Sequence, residues 1–179
     1  MLERAIAFAE KAHEGQVRKG THRPFIVHPM EVLDILKTMT DDEDILIAGV
    51  LHDTIEDCKG VTQEILEQHF GKRVADMVNK ESEDKSKTWM ERKSTTIEKL
   101  KDAPEEICMI ALADKLSNIR DIERDYPVVG EELWQRFRMK DRKIIGWYYR
   151  GVRDSLNRMI CYEAYQEYIG HVDAIFPEE

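Results

Sequence analysis

Seven consecutive nonpolar residues, Ile45 to Leu51, run straight into His52-Asp53-Thr54-Ile55-Glu56-Asp57. A segment without a polar face must be covered on all sides, so it is either a core strand or a central helix. The flanks favour the helix: Asp41, Asp42, Glu43 and Asp44 supply the negative charge that a helix start attracts, and no β-rich partner segment appears. Burying such a helix carries four ionisable groups to the edge of the core, where an unpaired charge is costly. The pattern recurs farther along. Pro104 opens Glu105-Glu106-Ile107-Cys108-Met109-Ile110-Ala111-Leu112-Ala113, a second nearly all-apolar helix, and Asp114 is expected at its end.

Apolar residues recur at helical spacing almost everywhere else. Leu2, Ala5, Ile6, Ala9 and Ala12 share one face of a first helix, and Gly15 and Gly20 bracket a polar, basic loop after it. A residue before proline avoids the helical region while proline suits the first turn, so a second helix is expected from Pro29, with His28 just outside its N-terminus. Thr62 and Gly71 bound a short helix, Val74, Met77 and Val78 begin another, and Trp89 to Leu100 form one more. Residues 81–87 are wholly polar and read as a solvated loop. Gly130 breaks the chain before two final helices rich in aromatics, among them Trp134, Trp147, Tyr148 and Tyr168. The expected fold is all-α, a helical bundle forming a single compact domain over residues 1–179.

With 27 Lys and Arg against 36 Asp and Glu, the formal charge of −9 disfavours nonspecific binding to nucleic acid or an anionic membrane. Cys58, Cys108 and Cys161 are odd in number and form no CxxC pair, which speaks for reduced thiols rather than a disulfide framework or a cysteine zinc site. No apolar run approaches membrane-spanning length, and a cytoplasmic protein is expected, with a homo-oligomer left open.

The chemistry gathers at the ends of the two apolar runs. The imidazole of His52 and the carboxylate of Asp53 suit a borderline divalent ion such as Mn, Fe, Co or Zn, although a partly buried His-Asp hydrogen bond explains the pair equally well. His28 and Asp114 would complete a set of two histidines and two aspartates with coordination positions left open. Asp114 could instead cap a helix or pair with Lys115 or Arg120. Glu56 and Asp57 follow Asp53 at i+3 and i+4, and crowding carboxylates raises the pKa of at least one, as an acid-base role needs. A solvated helix end is the competing reading. Arg18 and Lys19 suit phosphate in the loop before His28, with an exposed basic turn of no function as the competing reading, and Asn118 shares the helical face of Asp114.

In order, the chain presents R-K…P-F-I-V-H-P from Arg18 to Pro29, L-H-D-T-I-E-D from Leu51 to Asp57, H-F-G from His69 to Gly71, E-R-K from Glu91 to Lys93, and L-A-D-K-L-S-N-I-R from Leu112 to Arg120. In this it resembles the HD-domain guanosine 3′,5′-bis(diphosphate) 3′-pyrophosphohydrolases, and among them the stand-alone small alarmone hydrolases. The resemblance covers nearly the whole chain. It implies an all-α HD fold and one divalent ion, usually Mn, held by His28, His52, Asp53 and Asp114. Glu56 and Asp57 would activate the attacking water, Arg18 and Lys19 would hold nucleotide phosphates, and Lys115 and Asn118 would lie by the substrate. The implied reaction removes pyrophosphate from the ribose 3′ position of ppGpp or pppGpp, leaving GDP or GTP.

The chain departs from that pattern in its short loop between Lys19 and Pro24, in Cys58 where Thr is usual, and in the acidic Glu81-Ser82-Glu83-Asp84. Other outcomes are an HD phosphohydrolase acting on another nucleotide, such as a 2′- or 3′-phosphorylated dinucleotide or a nucleoside monophosphate, and a nucleotide-binding module without turnover. In each case the partner is a small nucleotide. The acidic total would then fail locally, because a bound cation with Arg18 and Lys19 reverses the sign of the charge in the pocket.

Overall fold

The structure is a computed structural model that describes residues 1–178, and those residues are helical with short connections. In chain order the helices are α1 (Leu2–Ala12), α2 (Val27–Leu36), α3 (Glu43–Leu51), the single turn α4 (Thr54–Asp57), α5 (Gln63–Phe70), α6 (Lys72–Glu81), α7 (Trp89–Asp102), α8 (Glu105–Val129), α9 (Arg142–Ser155) and α10 (Glu163–Ile175). A 3₁₀ segment, Gly130–Arg136, links α8 to α9.

The apolar run is the centre of the molecule. All seven residues from Ile45 to Leu51 are buried, and α1, α2, α6 and α8 pack around them. Asp42 caps the start, its carboxylate accepting from Asp44 N at 3.0 Å. Gly49 lets α2 come close, since a Cβ there would run into Leu36 Cδ1. Burying Ile45, Leu46, Ile47, Val50 and Leu51 contributes on the order of 10 kcal/mol, comparable to the whole net stability of a domain. His52 and Asp53 are therefore anchored by a helix that cannot shift without unfolding the core.

Trp134 falls in the 3₁₀ segment rather than in a final helix, and two further boundaries that differ from the sequence reading concern site residues. His28 lies inside the first turn of α2 rather than outside it, because the turn begins at Pro24: His28 N donates to Phe25 O at 3.0 Å and Val27 N to Pro24 O at 3.3 Å. Pro29 fits within that first turn, where its missing N–H would have had no intrahelical partner. Asp114 does not end a helix. Leu116, Ile119 and Ile122 continue the buried stripe, and α8 runs through it for 25 residues. The basic loop is also more ordered than its composition suggests. A bridge between Val17 and Pro24 closes it into a hairpin-like turn, with Arg18 N donating to Arg23 O at 2.9 Å and Gly20 at φ +70°.

Candidate active site

His28 from α2, His52 and Asp53 from the junction of α3 and α4, and Asp114 from α8 meet at one point. His28 Nε2 lies 3.3 Å from His52 Nε2 and 3.1 Å from Asp114 Oδ1, while His52 Nε2 is 3.1 Å from Asp53 Oδ2. The crossed distances, His28 to Asp53 and His52 to Asp114, are both 3.6 Å. The other ring nitrogens define the tautomers. His52 Nδ1 donates to Gly49 O at 2.8 Å, which can only accept. His28 Nδ1 bonds Ser117 Oγ at 2.8 Å, and that hydroxyl gives its own proton to Glu31 Oε2 at 2.7 Å. In the neutral imidazoles both Nε2 lone pairs, with two carboxylate oxygens, thus converge without a donor among them.

Four converging acceptors need a cation. Ligand atoms of His28, His52 and Asp114 lie within 4.8 Å of one another, and imidazole with carboxylate is the donor set of a borderline divalent metal. Each histidine is oriented from behind by its second nitrogen, as metal-binding imidazoles are. Without an ion the site takes a proton instead. Burial opposes charge on His52, yet the carboxylates of Asp53 and Asp114 hold its pKa well above the ordinary value, and burial pushes His28 down. Burial likewise opposes ionisation of Asp114, but Lys115 and the two histidines keep it well below the carboxylate range.

The alternatives for Asp114 resolve into one arrangement. It caps no helix, and Arg120 is taken by Glu31 at 3.2 Å and Glu167 at 2.6 Å, but Lys115 does pair with its Oδ2. Oδ1 remains for the histidines and accepts from Asn118 Nδ2 at 2.6 Å. Asn118 Oδ1 in turn accepts from Arg18 at 2.8 Å, and Arg18 pairs with Asp121 at 2.8 Å. Arg18, Lys115 and Asn118 are thus already engaged around Asp114, whereas Lys19 stands exposed at the cavity.

Glu56 and Asp57 sit on α4, whose turn is closed by Asp57 N donating to Asp53 O at 2.9 Å. Burial raises the pKa of Glu56, with Glu83, Asp57 and Asp53 adding to it, although Glu83 N donates to its Oε2 at 3.3 Å. Asp57 is more open and pairs with Lys85 at 2.8 Å.

The four converging residues, together with Glu56, Asp57, Arg18, Lys19, Lys115 and Asn118, line one cavity of about 570 Å³, enough for a nucleotide. Eleven Lys and Arg residues face nine Asp and Glu residues there, so the wall reverses the acidic balance of the whole chain. Residues 81–85 and Lys87 are part of this wall rather than only a solvated loop. Glu81 ends α6, and Glu83 is held by Arg92 at 2.8 Å and Lys93 at 2.7 Å. Sequence reasoning left Glu31, Ser117, Glu81, Arg92 and Lys93 without a role. Ser117 at i+3 from Asp114 and Glu31 at i+3 from His28 carried a signal in their spacing, while the partners of Glu83 lie on another helix.

Glu81 also makes a measurable contribution. Burial raises its carboxyl pKa to about 7, with Asp114 and Asp53 adding to the shift against Lys115 and His52. The native state of the metal-free protein then binds more protons than the unfolded chain between roughly pH 4.5 and pH 7, so this group costs stability as pH rises through that window. Glu81→Gln is expected to stabilise the metal-free protein at pH 8 by on the order of 1–3 kcal/mol and to have little effect at pH 4. Equal effects in urea unfolding at the two pH values would contradict this.

Paired histidines and aspartates at the heart of a helical bundle are the features of an HD domain. A family model described as HD domain matches residues 5–138, and the chain belongs to that family. Among curated proteins it is 35% identical over 144 residues to the guanosine-3′,5′-bis(diphosphate) 3′-pyrophosphohydrolase MESH1 of Xenopus tropicalis, covering 79% of this chain and 78% of that one. The Homo sapiens protein of the same name is 35% identical over 143 residues, covering 78% and 77%. A solved structure of a metazoan ortholog of SpoT, described as hydrolysing ppGpp and acting in starvation responses, superposes with a TM-score of 0.81 at 27% identity, covering 97% of this chain and 93% of that one. No helix among the described residues is long and apolar enough to cross a membrane.

Proposed function

We propose that the chain hydrolyses the 3′-diphosphate of ppGpp or pppGpp, releasing pyrophosphate and GDP or GTP, as one HD-type domain over residues 1–179 working in the cytoplasm. The observation that carries the reading is the convergence of four acceptor atoms from His28, His52, Asp53 and Asp114 in a cavity whose wall is net basic. The activities for which the MESH1 proteins and the SpoT ortholog are named supply the substrate.

In this reading those four residues hold one divalent ion, Mn in first place, with Zn, Fe and Co as alternatives. Such an ion lowers the pKa of water and polarises a phosphoryl oxygen. Glu56, whose pKa is raised, takes a proton from the attacking water, and Asp57 beside it orients that water. Oxygen adds to the phosphorus next to the ribose, the bond to the 3′ oxygen breaks, and that oxygen takes up a proton. Lys115 and Asn118 fix Asp114 and border the substrate, and Arg18 and Lys19 bind phosphate oxygens at the cavity.

A nucleotide panel with Mn added, resolving pyrophosphate from orthophosphate, tests the reading. Consumption of ppGpp with release of pyrophosphate is expected. Orthophosphate release would move the substrate to a nucleotide phosphomonoester, and binding without turnover would make the chain a nucleotide-binding module.

A further inference from the structure

Glu83, Arg92, Lys93, Lys115 and Tyr148 form a second cluster on the cavity wall. Glu83 Oε2 accepts from Arg92 Nη1 at 2.8 Å and Oε1 from Lys93 Nζ at 2.7 Å, with Thr96 Oγ1 at 3.4 Å from Oε1. The side chains of Glu83 and Arg92 are only 14% and 8% exposed. Lys93 Nζ stands 4.9 Å from the ring centroid of Tyr148, and Lys115 Nζ 5.9 Å from the same centroid. Two buried side-chain polar atoms among the described residues have no hydrogen-bond partner, Arg92 Nε and Tyr148 Oη, and both belong to this cluster. A buried donor left unsatisfied is costly, so two in one place mark a seat built for more acceptor oxygens than one carboxylate brings.

We propose that Glu83 is a built-in competitor, its carboxylate occupying the seat of Arg92, Lys93 and Tyr148 that a phosphate group of the substrate takes. The cluster defines the seat. That its natural occupant is a substrate phosphate rests on the function proposed above. A phosphate carries three terminal oxygens and a larger charge, so it can serve the two lysine and arginine cations and also reach Arg92 Nε and Tyr148 Oη. The tethered carboxylate competes at high effective concentration, which weak or singly charged anions do not overcome.

Displacing Glu83 also acts on the water-positioning pair. Glu83 N donates to Glu56 Oε2 at 3.3 Å, and Lys85, two residues on, donates to Glu56 O at 2.7 Å and pairs with Asp57 at 2.8 Å. Removing the carboxylate from its seat therefore loosens the segment that holds Glu56 and Asp57, and phosphate entry and release of the pair are one movement.

Calorimetric titration of inorganic pyrophosphate into the full chain, with a chelator present, tests this on the wild type, Glu83→Gln and Glu83→Gln/Lys93→Met. Glu83→Gln is expected to bind pyrophosphate about tenfold tighter or better, a gain of about 1.4 kcal/mol, and the added Lys93→Met to abolish the gain. Should Glu83→Gln not fold, Glu83→Asp, with a shorter reach to both cations, is expected to give part of the gain. Affinity equal to or weaker than that of the wild type would overturn the proposal, as would a gain that survives Lys93→Met. Because no metal or turnover is involved, failure here and failure of ppGpp hydrolysis are separate results.

Discussion

His52→Ala is expected to lower turnover of ppGpp by on the order of 10³-fold or more and to remove tightly held metal from the purified protein. The reason is geometric. His52 Nε2 lies within 3.6 Å of His28 Nε2 and of a carboxylate oxygen from each of Asp53 and Asp114, so its loss takes one ligand from the set and leaves the buried Asp114 and the partly buried Asp53 with less compensation. An ion in such a site supplies several kcal/mol of transition-state stabilisation, and each 1.36 kcal/mol is a factor of ten in rate. Metal analysis beside the nucleotide assay separates the causes: a folded variant that keeps its ion and near-normal turnover would remove the four residues from the proposed role.

A second large effect is expected with the ion still bound. Glu56→Gln and Asp57→Asn should each lower kcat by about 10²- to 10⁴-fold, the usual range for a positioned acid-base group, while metal content stays at the wild-type level. The two should differ in stability. Asp57 is half-exposed and its pair with Lys85 contributes ~1 kcal/mol or less, so Asp57→Asn should unfold close to the wild type. Glu56 is more enclosed and its ionisation is opposed by burial, so neutralising it should leave stability unchanged or raise it. Loss of bound metal in either variant would place that residue among the ligands instead.

How far the site could be read from the chain depends on which residues are considered. His52 and Asp53 were legible because an apolar run with no polar face can only be a buried helix, and the residues that end it must then be served by something. The same logic singled out Asp114 but misplaced it, since an acid after apolar residues looks like a terminus unless the stripe is followed on to Leu116, Ile119 and Ile122. The sequence pattern puts His28 on the wrong side of a helix boundary because Pro29 carries a plainer starting signal than Pro24, where the turn begins. Residues 81–87 show the limit most clearly. A polar segment has the same composition whether it faces water or a charged cavity, and the partners of Glu83 come from a later helix that local pattern cannot bring to it.

α8 carries Asp114, Lys115, Ser117, Asn118, Asp121 and Asp125 along one unbroken helix. Each residue advances the helix by about 100°, so these side chains keep a common phase only while the count between them is preserved. One inserted or deleted residue between Asp114 and Asn118 would leave the helix intact yet turn Asn118 away from Asp114 and Asp121 away from Arg18 together. The length of this stretch is therefore as constrained as the identity of its site residues.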